Sequence, residues 1–507
     1  MCIIINHLIV VLFLGHYSIS LLVAHGFIFC FNLEGTQTFS NHKTIEGGKV
    51  YYISSSTGND CNNGLSPDSA IMSFDRLATI VKKNRLCPGD SVLLKSGDIW
   101  MGETLKLNFL SGTLVQKIVI SSYGTGPRAI MRGSGRTSGI WIKHCNFVTI
   151  KNIEIRGYGY GIIVEGDSNI SLDSLHIRHI SIRNSENMGI KSHSSNLSVT
   201  NCNIDSCGGD GIYAVGTSTT ISSCTIRDND LDKRIGDGIH LDRYSPDYKV
   251  INNRIRQSVL SSHGCVTITD SSRMGKGIIQ NNIIIGGLWG ITAWGKYNIV
   301  NGNLIINSGQ NGAAKLGGKG IVFYNNVIYN SHIGIYARGN YWQKMYKRDD
   351  LQADSILILN NTFIKNDFRV LDINGQVQDP FTSVSIYNNV IYDFKIGIVL
   401  STKRYLMESD YNLWYPPSGE YSYKAKMIYG FEKWKHRTGF DIHSSIRNPV
   451  FEGDYNFSLK ENSSTYLLND SIYSMEKDIN ITIKDSTGIG ASKLLLKKYA
   501  DTISQLQ

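Results

Sequence analysis

The sequence predicts an all-β solenoid, a parallel β-helix preceded by a short helix that covers its first turn. Two observations carry this prediction. Gly-Ile segments recur along the 507 residues, and an Asn-rich register runs between them, with spacings of mostly 21 to 29 residues. Within each repeat the apolar residues alternate at period two, which is typical of strands with one buried and one exposed face. A repeat of this length with no intervening helix predicts two or three short strands per turn.

The first register contains the segments GIIVEG at 161, GIKSHS at 189, GIYAVG at 211, GIHLDR at 238, GCVTITD at 264, GITAWG at 290, GIYARG at 334 and GIVLST at 397. The second contains NNRIRQS, NNIIIGG, NGNLIINS, NNVIYNS, NNTFIKN and NNVIYDF. We expect its recurrent Asn to point inward at a tight corner and to bond along the stack as a ladder. Cys202 and Cys224 occupy the same position in adjacent turns. They are therefore predicted to be buried members of the ladder rather than reactive thiols.

The two ends of the chain depart from the repeat. Residues 1–32 are apolar and predict a secretion signal, with an uncleaved N-terminal anchor as the alternative, and residues 33–49 are a linker. The segment SFDRLATIVKKNR predicts a short amphipathic helix with Ser73 as its N-cap. We assign residues 50–404 to the β-helix with this cap. Residues 405–507 are assigned to an irregular, aromatic-rich C-terminal extension and the final turns.

Composition limits the class of protein. Hydrophobic residues make up 41% of the chain, charged residues 18%, and the mean hydropathy is −0.14, which excludes a protein with many membrane spans. The net charge of +9 is spread along the chain. It fits an acidic polysaccharide partner, although a merely basic surface would look the same. No nucleic-acid-binding motif is present, so we expect no nucleic-acid partner.

Cysteine usage does not indicate a disulfide scaffold, and no spacing typical of a zinc site occurs. Cys61 and Cys87 flank the first predicted helix, and we expect that these two could pair. The chain is expected to be a monomer that is secreted, or held at the cell surface or in the periplasm, with no membrane contact after the signal is cleaved.

The opening YYISSSTGNDCNNGLSPDSAIMSFDRLATI, followed by CPGDSVLLKSGDIW, resembles that of secreted right-handed β-helix proteins of the pectate-lyase-like superfamily. NPVFEGDYNFSLKENSS is similar to their closing segment. The resemblance covers roughly residues 50 to 490 and implies a single-stranded right-handed parallel β-helix. It is weak for activity, because the superfamily includes lyases, hydrolases, epimerases and non-catalytic binders.

If the isoleucines of the Gly-Ile segments point inward, the next and third-next residues point outward and stack in columns ~4.8 Å apart. These columns combine titratable and aromatic side chains, which favours a carbohydrate groove. The candidate substrate-binding residues are Asp242, Tyr213, Trp294, Lys315, Tyr336 and Arg338.

Asp210 and Asp237 occupy equivalent places in adjacent turns. Three interpretations are open: Asp simply suits the turn before Gly, the pair holds Ca²⁺, or the pair supplies the two carboxylates of a glycosidase. Calcium is the cofactor that we expect here, if any, and we assign both residues to the metal site.

The resemblance suggests β-elimination on a uronate-containing polysaccharide. Cations neutralise the uronate carboxylate, a base removes the C5 proton, and an acid protonates the leaving oxygen. The candidate catalytic residues are His240 or Lys191 as the base, Arg243 as the uronate-binding residue and His193 as the alternative base. A glycoside hydrolase, a uronate epimerase and a non-catalytic adhesin or glycan-binding β-helix remain as alternatives.

Overall fold

The structure is a computed structural model. It describes residues 48–166, 174–229, 236–269, 275–337, 354–373, 383–402, 405–451 and 493–505, the single residues 453, 460 and 491, and three strands nearer the N-terminus. Those three strands, Ile9–Leu14, Tyr17–Ala24 and Phe27–Asn32, form an antiparallel sheet in a unit of their own, Met1–Gly47. The signal or anchor over 1–32 and the linker over 33–49 stay predictions. Among the described residues, no helix has the length and apolar character needed to cross a bilayer.

The second unit, Gly48–Gln507, is a parallel β-helix with three strands in each regular turn, which confirms the predicted fold class. We name its three faces A, B and C. Face C contains the strands Val50–Ile53, Ser91–Lys95, Ile118–Tyr123, Val148–Lys151, Leu175–Arg178, Leu197–Thr200, Thr220–Ser222, Lys249–Ile251, Ile278–Gln280, Ile299–Asn301, Val322–Tyr324, Ile356–Leu359, Val384–Tyr387 and Leu406–Asp410.

Face B follows face C in each turn. It contains Ile99–Met101, Ala129–Arg132, Ile153–Arg156, Ser181–Arg183, Asn203–Asp205, Thr225–Arg227, Arg254–Gln257, Ile283–Gly286, Leu304–Ile306, Val327–Tyr329, Leu413–Tyr415 and Ser445–Ile446. Face A contains Leu105–Asn108, Ser138–Lys143, Tyr160–Glu165, Ile190–His193, Ile212–Val215, Ile239–Asp242, Val266–Thr269, Ile291–Trp294, Ala314–Leu316, Ile333–Ala337 and Glu420–Tyr423. Two long strands, Thr362–Ile373 and Val390–Leu400, run from face B into face A. Lys426–Tyr429 adds an antiparallel strand at the end of face A.

The interior of the β-helix is filled by the isoleucines of the Gly-Ile register. Ile162, Ile190, Ile212, Ile239 and Ile291 are all fully buried, as predicted. Each pairs in register with the apolar residue of the next turn, so one column of side chains forms a continuous core. A turn therefore buries its apolar face only against its neighbours.

The Asn-rich register forms the predicted buried ladder. At each Asn-Asn pair the first residue takes the left-handed conformation, as at Asn281 with φ 55°, and the second points inward. Asn303 is typical: its Nδ2 donates to the backbone oxygen of Ile279 and to Oδ1 of Asn326, both at 3.0 Å. The ladder members are Asn253, Asn282, Asn303, Asn326, Asn361, Asn389 and Asn412.

Cysteines extend this ladder upstream. The backbone N–H of Cys224 donates to Oδ1 of Asn253 at 2.9 Å, and Cys202 lies in the same position one turn earlier. Both cysteines are buried, as predicted. The expected pair of Cys61 and Cys87 is wrong, because both are free and exposed.

Helices pack against the first turn, the C-terminal turns and one side of the β-helix. A 3₁₀ turn, Pro67–Ser69, precedes α1 (Phe74–Lys83), and the Ser73 hydroxyl accepts a hydrogen bond from the Arg76 N–H, which confirms the predicted N-cap. Near the C-terminus lie α2 (Phe431–Thr438) and α3 (Lys493–Ser504). The Tyr499 hydroxyl of α3 donates to the backbone oxygen of Gly302 at 2.7 Å. α3 packs its apolar side on face B.

We expect Asn303→Ala to lower the free energy of unfolding by about 2–4 kcal/mol, because it removes ladder bonds and leaves buried polar groups of two neighbouring turns without partners. Chemical denaturation followed by circular dichroism measures the loss. Asn187→Ala, at a half-buried loop position outside the ladder, is the control and should cost less than about 1 kcal/mol. Equal losses in the two variants would contradict a stabilising role for the ladder.

Candidate active site

The register of face A aligns the outward residues of successive turns. One column runs Trp141, Ile163, Lys191, Tyr213, His240, Thr267, Thr292, Lys315, Tyr336 and Asp372. A second column lies two residues further along each strand. It contains Lys143, Glu165, His193 and Val215, and further along the face Asp242, Thr269 and Trp294. The structure therefore brings the candidate residues of face A together on one surface. Arg338 lies outside the described residues.

These columns are accessible over part of their length. Lys191, Tyr213, His240 and Asp242 are half-buried, and His193 is exposed. Further toward the C-terminus the face is covered: Thr292 is 0% exposed, Trp294 9% and Asp372 1%. Trp294 thus offers less surface to a sugar than its column position predicts. Lys315 and Tyr336 remain half-buried.

His240 lies at the centre of the accessible part, with two buried carboxylates behind it. Its Nδ1 is 3.8 Å from Asp210 Oδ2 and 3.6 Å from Asp237 Oδ2. Its Nε2 is 3.4 Å from the Thr269 hydroxyl. Burial lowers the pKa of His240 to about 4, against the opposing charge of Asp242, so the ring is neutral at neutral pH. The two carboxylates electrostatically favour the tautomer with the proton on Nδ1, which leaves the Nε2 lone pair as the basic site. Because the Thr269 hydroxyl donates its proton to Asp242, its 3.4 Å contact with Nε2 in this tautomer is not a hydrogen bond.

The buried carboxylates are themselves fixed by the backbone. Asp210 Oδ1 accepts the Asp237 N–H at 2.6 Å. Asp237 Oδ1 accepts the Gly264 N–H at 2.8 Å and the Thr267 hydroxyl at 2.7 Å. In each of the two carboxylates the other oxygen, Oδ2, faces His240. The orientation of the imidazole is therefore set by groups held on three successive turns.

Asp242 is held by two hydroxyl groups. Tyr213 donates to its Oδ2 at 2.9 Å, and Thr269 donates to its Oδ1 at 2.6 Å. Burial alone would raise the pKa of Asp242, but these hydrogen bonds, with His240 and Arg243, outweigh it and hold the pKa below its usual range. Burial and the charge of Asp242 raise the pKa of Tyr213 well above its usual value, so the phenol keeps its proton. Asp242 is therefore ionised and oriented.

Basic and aromatic groups surround these residues. The Lys191 Nζ lies 5.7 Å from the ring centre of Tyr160. The His193 ring is 5.9 Å from that of Tyr213, and burial together with the charge of Lys191 lowers the pKa of His193. The Arg243 side chain is 67% exposed, with its Nε 3.7 Å from Asp242 Oδ2. The exposed face therefore presents two cations beside a neutral imidazole.

Trp289 is a site residue that the sequence analysis missed. Its indole Nε1 donates to the Thr267 hydroxyl at 3.0 Å, and the Lys315 Nζ lies 3.9 Å from its ring centre. Trp289 occupies the row of Asp210 and Asp237, and each of the three stands two residues before the first residue of its face A strand. A side chain at Gly264, the row member in between, would clash, because a Cβ there would lie 2.0 Å from Nε1. Trp289 could have been found in the sequence by aligning it with Asp210 and Asp237 at the same position of the repeat.

The expected calcium site can be tested against the donor atoms. Asp210, Asp237 and His240 each offer one ligand atom, all within 4.8 Å of one another. Calcium takes six to eight oxygen ligands, whereas this set provides an imidazole nitrogen and two carboxylate oxygens. The donor set fits Ca²⁺ poorly, and we assign no catalytic step to it. The two carboxylate oxygens lie 3.6 and 3.8 Å from Nδ1, beyond hydrogen-bond distance, and favour a proton on Nδ1 through their charge.

The comparisons with known proteins agree on the fold. The family described as "Right handed beta helix region" matches residues 138–300. A mannuronic acid specific polysaccharide family 6 lyase from human gut microbiota has a TM-score of 0.53 at 13% identity, covering 79% of this chain and 91% of that chain. The PL6 family alginate lyase AlyGC gives 0.53 at 13% identity, covering 82% and 58%. The chain therefore has the fold of a right-handed parallel β-helix.

A sequence relative comes from a different class of enzyme. A lacto-N-biosidase of Bifidobacterium longum subsp. longum is 26% identical over 149 residues, which cover 25% of this chain. The aligned segment spans only 9% of that relative. The similarity is therefore local.

Because we assign the Nδ1 position to a proton, we expect dialysis against EDTA, followed by addition of Ca²⁺, to leave the thermal unfolding midpoint unchanged. A metal bound to the folded state would raise the midpoint as its concentration increases. Differential scanning fluorimetry over a range of Ca²⁺, Mn²⁺ and Zn²⁺ concentrations measures this. A metal-dependent rise in the wild type that is absent in Asp237→Asn would show instead that the cluster binds that metal.

Proposed function

We propose that this protein is a carbohydrate-active enzyme that cleaves an acidic, uronate-containing polysaccharide by β-elimination, with face A as its groove. The observation that carries the proposal is His240: a neutral, half-buried imidazole whose Nδ1 faces two fixed carboxylates. This arrangement is the one expected of an oriented general base, in which a carboxylate holds the tautomer and the far nitrogen accepts a proton. The likeness to solved polysaccharide lyases supports the fold on which such a groove is built.

Substrate recognition would come from the cations of the same surface. Lys191 lies two turns before His240 in the column, about 10 Å away. Arg243 immediately follows the strand of His240 and is mostly exposed. A uronate carboxylate bound by either cation loses much of its negative charge, and this loss makes the neighbouring C5 proton more acidic. The overall charge of +9 acts in the same direction by attracting a polyanion.

The elimination balances with the residues at hand. His240 Nε2 accepts the C5 proton, the electron pair of the C–H bond forms the C4–C5 double bond, and the C4–O bond breaks. The leaving oxygen then takes a proton, which the imidazolium of His240 can return when both groups lie on the same face of the ring. His193, whose pKa is also lowered, is the alternative base. Tyr213 and Asp242 line the groove and position the sugar.

A glycoside hydrolase is the second candidate, because Asp242 is ionised and held by two hydroxyl groups, as a nucleophile or a base for water would be. The local similarity to a lacto-N-biosidase favours the same class. The two reactions give different products. Hydrolysis releases new reducing ends without a double bond, whereas elimination produces an unsaturated uronate that absorbs in the ultraviolet.

The place of action is part of the proposal. The apolar residues 1–32 support export of the chain, and a polysaccharide substrate would be met outside the cell or in the periplasm. We propose that the exported protein acts as a monomer. A β-helix that bound acidic glycans without releasing any product would be an adhesin or binding module instead.

We expect the wild-type protein to generate ultraviolet-absorbing product from at least one of pectate, alginate, glucuronan and glycosaminoglycans. His240→Ala should lower kcat by about 10²- to 10⁴-fold, the usual contribution of a general base, with KM changed little. His443→Ala, which alters an exposed histidine paired with Asp410, is the matched control and should keep full activity. No product from any of these glycans, or full activity in His240→Ala, would overturn the proposal.

The pH profile provides an independent check on the base. His240 must be neutral to accept a proton, and its pKa is lowered to about 4, so activity is present above that pH and lost as the pH falls through it. We expect kcat/KM to stay level from pH 7 down to about pH 5 and to decline toward pH 4. An acidic limb centred near pH 6.5, the value for an exposed histidine, would argue against His240 as the base.

A further inference from the structure

A cavity of about 640 Å³ lies on face A beside α1, upstream of His240. We call it the cap cavity. Among its lining residues are the aromatic side chains of Trp141 and Tyr160, the cations Lys106 and Arg136, and the carboxyl groups of Asp75, Glu103 and Glu165. Its volume lies in the range of small-molecule sites, and its five acidic and basic side chains make its lining more polar than that of most such sites.

The cap cavity is continuous with the proposed groove. Lys106, Trp141 and Ile163 are successive members of the column that continues to Lys191 and His240. Trp141 lies four turns before His240, about 19 Å away. Lys191 connects the two regions directly, because its ammonium group lies over the ring of Tyr160, which lines the cavity. A sugar chain that follows the column past His240 therefore reaches Trp141.

The charges of the cavity differ from those around His240. Three carboxyl groups face two cations, so the lining has no excess of positive charge. Burial, with the charges of Asp75 and Asp60, raises the pKa of Glu103, and the Phe74 N–H at the start of α1 donates to its Oε2 at 2.9 Å. A uronate carboxylate in the cavity would approach several carboxyl groups and be repelled. Sugar hydroxyls, in contrast, can donate to carboxylates and accept from Lys106 and Arg136.

We propose that the cap cavity is a subsite that binds an uncharged sugar residue, and that the natural substrate is a heteropolymer containing both uronate and neutral residues. The second part rests on the proposed function, whereas binding of a neutral sugar can be measured without any catalysis. Trp141 supplies the aromatic surface for the sugar ring, and Glu165 is one of the carboxyl groups that excludes uronate.

The test is isothermal titration of the wild-type protein with four uncharged tetrasaccharides, cellotetraose, xylotetraose, mannotetraose and β-1,4-galactotetraose, and with tetragalacturonate. We expect at least one uncharged tetrasaccharide to bind, and Trp141→Ala to weaken that binding by about tenfold. Tyr429→Ala removes an aromatic side chain that is 62% exposed and lies outside the cavity lining, and it should leave the affinity unchanged. Glu165→Gln should bind tetragalacturonate more tightly than the wild type does, because it removes a repelling charge.

The outcomes separate this inference from the proposed function. If the wild type binds none of the uncharged tetrasaccharides, or if Trp141→Ala binds as tightly as the wild type, the subsite is overturned, whatever the enzyme cleaves. If binding depends on Trp141 but no acidic polysaccharide is cleaved, the subsite stands and the elimination proposal fails. Circular dichroism of Trp141→Ala confirms that a loss of binding is not a loss of fold.

Discussion

The hydrogen-bonded stacking of one turn on the next is the constraint on which the rest of this structure depends. Each strand is only three to six residues long in the regular part of faces A and B, too short to be stable by itself. Parallel pairing fixes the register, the buried isoleucines fill the interior, and the Asn ladder satisfies backbone groups at the corner between faces C and B. Because the register never slips between Trp141 and Lys315, outward side chains far apart in sequence share a column.

That constraint gives the candidate site its rigidity. His240, its two carboxylates and Asp242 all lie on strands or at their immediate ends, and their partners come from neighbouring turns. These side chains are already ordered in the folded protein, so the proposed base would need no further ordering when a substrate binds. The cations differ in this respect. Lys191 is half-buried and Arg243 is mostly exposed, and both are long side chains that end in a cation.

Most of the fold could be predicted from the sequence, because period-two alternation and the recurrent Gly-Ile and Asn-Asn segments directly reflect strand and corner geometry. The columns of face A followed from the same periodicity. Exposure could not be predicted in this way, since Trp294 and Asp372 occupy outward positions but are covered by neighbouring structure. The position of Asp210 and Asp237 beside His240 Nδ1 could not be predicted either, because it depends on how three successive turns stack. Trp289 could have been found by extending the row of Asp210 and Asp237 to this turn, but its contacts with Thr267 and Lys315 depend on how the turns stack.

The constant rise from one turn to the next places the outward side chains of face A at regular intervals. Adjacent positions in a column differ by ~4.8 Å, about the width of one sugar residue or less. If face A is the proposed groove, a sugar chain along it would meet chemically distinct rows of side chains at these intervals. Exchanging the outward side chains of one turn would change which monomer is accepted at that step without disturbing the turns above and below. Substitutions in one turn could therefore alter binding at one position of the groove while the neighbouring positions stay unchanged.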